Sequence, residues 1–316
     1  MPEDQGLKYK IESNWESPKI SQNGTLFAIG VFDGVHIGHR FLVEKLKQDA
    51  KTKQLLSGII TFDPHPQSVL IPGNPRPWLS ELGNKVDDLK KLGVDVIAVL
   101  SFTPTLSQLS AKEFAAFMVN CLQMRGIIIG PDFSLGQNHE GNSTMLQLLG
   151  QQMAFSVEIL PPCTLDGEII SSTLVRQSLT SGDMIKVEKL LGHRFILLAR
   201  VISGDKRGRS MGFPTANLYI APGQALPADG VYATNTCVHG KHFISATYIG
   251  QRPTFAGSNR TVETYLFDYT GSLYNEELEV SFICRLRDER HFNSQQDLMV
   301  QINEDIEKIR KLAVDS

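Results

Sequence analysis

The sequence predicts an α/β domain on a parallel sheet, followed by an antiparallel barrel or sandwich with a C-terminal helix. Three observations predict this. Over the first half, short apolar runs alternate with stretches whose apolar residues recur at helical spacing. After about residue 190, apolar segments follow closely, separated only by Gly, Pro and polar clusters. The chain has 316 residues, comfortable for two cores and long for one.

In chain order, "TLFAIGVF" (25–32), "SGIITF" (57–62), "VDVIAVLSF" (94–102) and "RGIIIG" (125–130) read as strands buried on both faces. "FLVEKLKQDAK" (41–51) and "SAKEFAAFMVNCLQM" (110–124) read as the helices between them, the second opened by a Ser110/Glu113 capping box. Such alternation puts ligands at the carboxyl ends of the strands. The later strands are "RFILLARVIS" (194–203), "GVYATNTCV" (230–238), "HFISATYIG" (242–250), "RTVETYLFDY" (260–269) and "ELEVSFICRLR" (277–287). A helix over 294–312, capped by Ser294, ends the chain. The two rhythms meet at 184–190, giving domains 1–186 and 187–316.

The formal net charge of −3, with 21% charged and 41% hydrophobic residues, supplies no positive field for a nucleic-acid or anionic-membrane partner. The polar N-terminus has no apolar core of a secretory signal, and no run of 18 apolar residues exists to span a membrane. The four cysteines are scattered, which points to a reducing compartment and a cytoplasmic protein.

"GVFDGVHIGHRFL" (30–42) places His36 and His39 at the first strand–helix turn, with Gly34 and Gly38 permitting close backbone approach. A metal pair, a structural pair and a phosphate clamp all fit two such histidines. A zinc site needs further ligands at suitable spacing, and none is obvious. The helix start offers unpaired N–H groups to an anion. Three more segments end strands or open helices: "ITFDPHPQ" (60–67), "IIIGPDFSLGQNHEGN" (127–142) and "EIISSTLVRQSLTSGDM" (168–184). In the last, hydroxyls precede an Arg by one helical turn, a suitable polyphosphate cradle.

The HxGH turn with the later "ISSTLVR" resembles the nucleotidyltransferase superfamily. With "TFDPHP" and "GPDFSLG" added, the first domain resembles the FMN adenylyltransferase half of the bacterial bifunctional riboflavin kinase/FMN adenylyltransferase (FAD synthetase) family. That resemblance implies a Rossmann-like sheet making FAD and pyrophosphate from FMN and ATP with Mg²⁺. It implies that His36 and His39 stabilise the transferring phosphoryl group. Gly30, Phe32, Asp33, Gly38, Ser172, Thr173 and Arg176 would bind ATP and its phosphates, and Phe62, His65, Pro66 and Asp132 the flavin.

In the second half, "SGDKRGRSMGFPTANL" (203–218) joins a basic Gly-rich loop to Thr and Asn, hard oxygen donors suited to Mg²⁺. Glu263 sits in an apolar, aromatic strand, where it is either hydrogen-bonded for structure or poised as a base. With "RPTF", "VETYLFDY" and "LRDERHF", these segments resemble the riboflavin kinase domain, a small β-barrel. The likeness implies that Gly208, Thr215 and Asn217 bind ATP phosphates, with Thr215 and Asn217 holding Mg²⁺. It implies Glu263 as the base for the riboflavin hydroxyl, and Arg287 and Glu289 near the flavin. Riboflavin, FMN, FAD and ATP are then the small-molecule partners.

Some positions depart from the pattern: relatives commonly carry "DFRFG" where Ser134 and Leu135 stand, Asn where Tyr248 stands and Gly where Asn275 stands. Two other readings compete. A transferase acting on another phosphate ester leaves the second domain without a use. A binding protein that has lost catalysis should lack one of His36, His39, Thr215, Asn217 or Glu263, and all are present.

Overall fold

The computed structural model describes residues 9–13, 23–71, 73, 76–204, 212–254 and 257–314, which divide into two compact units at Ser172/Thr173. In the first unit, β1 (Tyr9–Ser13), β2 (Thr25–Ile29), β3 (Leu56–Asp63), β4 (Val96–Ser101), β5 (Met124–Ile129) and β6 (Ser156–Ile159) form one sheet of order β1-β4-β3-β2-β5-β6. β2 to β6 run parallel, and β1 adds an antiparallel edge, with Ile11 opposite Ala98.

Period-two alternation sends neighbouring residues of each strand to opposite faces. Leu26, Ala28, Ile59 and Val99 pack with Val43, Leu46 and Leu89 of α1 (Ile37–Thr52) and α3 (Leu82–Lys91). Phe27, Ile29, Ile60 and Leu100 pack with Phe114, Met118 and Leu146 of α5 (Ala111–Cys121) and α6 (Ser143–Met153). Short helices α2 (Pro66–Leu70) and α4 (Pro104–Ser107) follow β3 and β4. A small hairpin, β7 (Thr164–Leu165) and β8 (Glu168–Ile169), precedes α7 (Ser172–Ser181).

β3 continues the sheet on one side of β2 and β5 on the other. The direction of winding therefore switches beside β2, and ligands in such sheets sit outside the carboxyl ends at that point. The capping box at Ser110 forms as expected, Glu113 Oε2 accepting from Ser110 N at 2.8 Å. The helix expected over 110–124 stops at Cys121, however, because Met124 already belongs to β5.

The second unit holds α8 (Met184–Leu191) and a closed barrel of β9 (Ile196–Ile202), β10 (Ala216–Leu218), β11 (Gly230–Val238), β12 (Lys241–Thr254), β13 (Gly257–Leu266) and β14 (Glu277–Arg287). The order is β10-β13-β12-β11-β14-β9, and every pairing is antiparallel. Polar side chains fully buried within it satisfy one another: Thr234 Oγ1 lies 2.8 Å from both Ser245 Oγ and Thr247 Oγ1, and Thr247 bonds Thr264 at 3.0 Å. Closure of the barrel resolves the barrel-or-sandwich alternative.

The last helix, α9 (Gln295–Val314), packs Ile306 and Ile309 against Ala233 and Phe267, and Ser294 Oγ caps it by accepting from Asp297 N at 3.1 Å. Asn275 holds φ 65, a left-handed backbone that glycine adopts without strain and asparagine tolerates. That accounts for the Gly-to-Asn departure at this turn. Among the described residues, no helix is long and apolar enough to cross a membrane.

Candidate functional sites

The turn after β2 is held from several sides. Phe32 and Val35 adopt positive φ of 53 and 37 while buried at 1% and 0% exposure, so packing imposes a conformation such residues otherwise avoid. The buried Asp33 carboxylate accepts from Leu79 N at 2.9 Å and Ser80 N at 3.1 Å, and Gly34 N donates to Ser80 Oγ at 3.1 Å. Ser172 Oγ donates to the Asp33 carbonyl at 2.9 Å, which fixes the first residue of α7 at the turn. Asp33 thus anchors the loop through its side chain, while its backbone holds Ser172. Thr173 is exposed, and Arg176 follows Ser172 by one turn of α7; both belong to the second unit.

His36 is the N-cap of α1, its Nδ1 accepting from His39 N at 3.3 Å. The two imidazoles stack, with ring centroids 3.6 Å apart and planes 15° from parallel, and Phe32 lies 4.9 Å from His39. Gly38 permits this: a Cβ there would meet His36 Nδ1 at 3.2 Å. Burial holds the His39 pKa well below 6.5, and the neighbouring His36 and Lys85 push it the same way. His39 Nδ1 is buried with no hydrogen-bond partner among the described residues, a costly arrangement that a polar ligand would relieve. Lys85, 6% exposed on α3, donates to the carbonyls of Val31 (3.1 Å) and Phe62 (3.3 Å), joining the ends of two adjacent strands. Desolvation lowers its own pKa, against the pull of Asp33 and Asp63.

Beside this turn a pocket of about 540 Å³ is lined by Gly30, Phe62, Pro66 and Asp132, and also by Phe102 and Phe133. Phe62 and Phe102, from the ends of β3 and β4, meet edge-to-face at 5.7 Å. His65 instead caps α2, its Nδ1 accepting from Gln67 N at 3.1 Å. Phe102, Phe133 and Lys85 escaped the sequence reading. "SFTP" after β4 repeats the Phe-X-Pro pattern of "TFDP" after β3, a signal that could have found Phe102.

In the barrel, Glu263 on β13 stands directly opposite Asn217 on β10 and Tyr248 on β12, so the three share one face. "PTANL" contains β10, a strand that the sequence reading did not assign, and its pairing is what brings Asn217 to Glu263. Thr215 Oγ1 donates to Glu263 Oε2 at 3.0 Å. Thr215 and Asn217 line a cavity of about 550 Å³ together with Val201, Tyr269 and Tyr274. The Tyr248 hydroxyl donates to Glu289, and burial, then Glu289, raises its pKa. Arg287 is committed to the last helix, pairing with the buried Asp305 through Nε and a terminal nitrogen at 2.9 Å each. Gly208 and the side chains of "RPTF" lie outside the described residues.

An HxGH turn at the switch point of one unit, and a carboxylate beside hydroxyl and amide oxygens in the other, suit phosphate chemistry at two centres. Comparisons with known proteins agree. A family model described as FAD synthetase matches residues 19–174, and one described as riboflavin kinase matches 191–313. Bifunctional riboflavin kinase/FMN adenylyltransferases are similar over nearly the whole length. The Listeria monocytogenes protein is 35% identical, covering 90% of this chain and 91% of the relative. The Haemophilus influenzae protein is 36% identical (90% and 92%), and that of Escherichia coli K12 34% (90% and 91%). A crystal structure described as a macrolide-efflux protein from Streptococcus pneumoniae superimposes with TM-score 0.84 at 29% identity, covering 92% of this chain and 95% of that one. The chain belongs to the bifunctional riboflavin kinase/FMN adenylyltransferase family.

Proposed function

We propose that residues 187–316 phosphorylate riboflavin with ATP to give FMN and ADP, and that residues 1–186 adenylylate FMN with a second ATP to give FAD and pyrophosphate. The observation that carries this reading is the presence of two ligand-sized cavities on separate units. One adjoins the His36–His39 turn and the other the Thr215–Glu263 pair. We place the division of labour at residues 186/187, within the interval between the two matched spans.

Adenylyl transfer needs no covalent enzyme intermediate, because the FMN phosphate is itself the nucleophile. The first unit must align two anions and offset growing charge on the α-phosphoryl group. His36 and His39 act there as neutral hydrogen-bond donors, consistent with the lowered His39 pKa. Ser172, Thr173 and Arg176 at the start of α7 take the β- and γ-phosphates. Gly30, Phe32 and Gly38 keep the turn open to ATP, and Asp33 fixes its shape. Phe62, Pro66 and Asp132 flank the flavin ring, with His65 capping the helix that carries Pro66.

The alcohol of riboflavin is a poor nucleophile, so the kinase centre needs a base. Glu263 removes the 5′-hydroxyl proton as the oxygen attacks the γ-phosphoryl group, and Thr215 orients that carboxylate. The donor set of Thr215 and Asn217 is oxygen-rich and free of His and Cys, which fits Mg²⁺. Held by Thr215 and Asn217, such an ion would offset polyphosphate charge. Gly208 belongs to the phosphate-covering loop by family likeness, and Glu289, tied to Tyr248, to the flavin side. Arg287 acts through the placement of α9. The reading puts both reactions in the cytoplasm, in keeping with four free cysteines.

Purified protein given riboflavin, ATP and Mg²⁺ should yield FMN and then FAD on a chromatogram. Absence of FMN would overturn the kinase assignment, and absence of FAD from supplied FMN the transferase assignment.

A further inference from the structure

The loop after β5 carries a construction that the reaction as described leaves unused. Leu135 and Gly141 bridge across it, Gln137 N donates to Leu109 O at 2.8 Å, and Glu140 Oε1 accepts from Ala111 N at 2.7 Å. Gly136, at φ 78, lies so near the start of α5 that a Cβ would sit 2.6 Å from the Ala111 nitrogen. Between these anchors Asn138 and His139 are both left-handed, with φ of 54 and 58. Asparagine tolerates that backbone, but a left-handed histidine beside it is held by the surroundings, and such strain gathers at ligand sites. The result is that His139 turns back onto Ser134, its Nδ1 lying 2.9 Å from the serine Oγ. Both residues line the rim of the pocket that contains Phe62, Phe102 and Phe133.

In the tautomer in which the serine hydroxyl donates to Nδ1, the ring N–H lies on Nε2, a single donor of fixed direction. Mostly apolar pockets take their specificity from a few placed polar groups of this kind. The pyrimidine edge of a flavin ring carries two carbonyl oxygens, so a donor at the rim separates it from a plain aromatic ring. We infer that the Ser134–His139 pair determines specificity for the flavin, His139 donating from Nε2 to a ring carbonyl while Ser134 sets the tautomer. This rests on the reading that the pocket holds FMN. It also gives a role to Ser134, which stands where relatives commonly carry Arg.

The test is steady-state FAD formation with FMN varied at saturating ATP. His139→Gly removes the imidazole and still accepts the left-handed backbone, so folding is preserved. Its KM for FMN should rise about tenfold and that of Ser134→Ala about threefold, the range expected for one lost hydrogen bond. The double variant should match His139→Gly alone, since the serine acts through the histidine. His139→Asn, a donor that tolerates this backbone, should recover most of the loss. The kcat, the KM for ATP and riboflavin phosphorylation should stay within about twofold of wild type. An unchanged KM for FMN in His139→Gly overturns the inference, and so does an equal rise in the KM for ATP. A wild type that forms no FAD from FMN shows instead that the underlying assignment of the pocket is wrong.

Discussion

The His36 and His39 rings stack at 3.6 Å while the His39 amide donates to His36 Nδ1. Two imidazoles so close cannot both be protonated cheaply, and an accepting Nδ1 places the His36 proton on Nε2. The geometry suits hydrogen-bond donation from the pair, with burial keeping His39 neutral.

Its pH dependence follows. Burial, then His36, then Lys85 hold His39 below the ordinary value of 6.5. The native state therefore binds fewer protons than the unfolded chain as pH falls through 6.5. The stability contribution of His39 is complete above that value and declines below it. The acid limb of FAD formation should lie below pH 6.5. Lys85→Met, by removing one positive neighbour, should move that limb to higher pH while leaving the profile of riboflavin phosphorylation in place. An unmoved limb in a folded Lys85→Met protein would contradict the electrostatic role of Lys85.

Gly38→Ala probes the close approach at the turn. Its Cβ would press His36 Nδ1 at 3.2 Å and the Ile170 carbonyl at 3.5 Å. Helix propensity favours alanine, so the melting temperature should hold. The kcat for FAD formation should fall roughly tenfold through misplaced imidazoles. Stopped-flow or coupled assays on both activities, alongside a thermal melt, check this.

These sites were unevenly legible in the sequence. The β2 turn was plain because a buried strand, glycines and two histidines lie within fifteen residues, 25–39. Strands 230–238 and 277–287 fall where alternation and turn residues place them. β1 and β6 were missed as short edge strands, and β6 has no fully buried position from which a pattern could stand out. Lys85 was invisible because its partners, Val31 and Phe62, are carbonyls 54 and 23 residues away, and nothing local marks a buried lysine. The same holds for Arg287, whose partner Asp305 is supplied by a helix folding back onto the barrel.

That ion pair gives a stability prediction. Asp305 is 3% exposed and also accepts from Gln301 Nε2 at 3.2 Å. Asp305→Ala leaves the mostly buried Arg287 guanidinium with only the Asp288 carbonyl and the Phe292 ring, and should cost about 2–4 kcal/mol in urea unfolding of the barrel. Replacing both partners with apolar residues, Arg287→Met with Asp305→Leu, should recover most of that. A loss under about 1 kcal/mol in Asp305→Ala would mean the pair is effectively solvated.

The central claim is that two independent centres act in sequence on one flavin. It is tested most directly by the flavin composition after incubation of variants with riboflavin, ATP and Mg²⁺. His36→Ala should accumulate FMN with no FAD. Glu263→Ala should leave riboflavin unchanged, yet convert added FMN to FAD at the wild-type rate. Loss of both activities from either single change in a folded protein, or FAD formation by His36→Ala, would contradict the account.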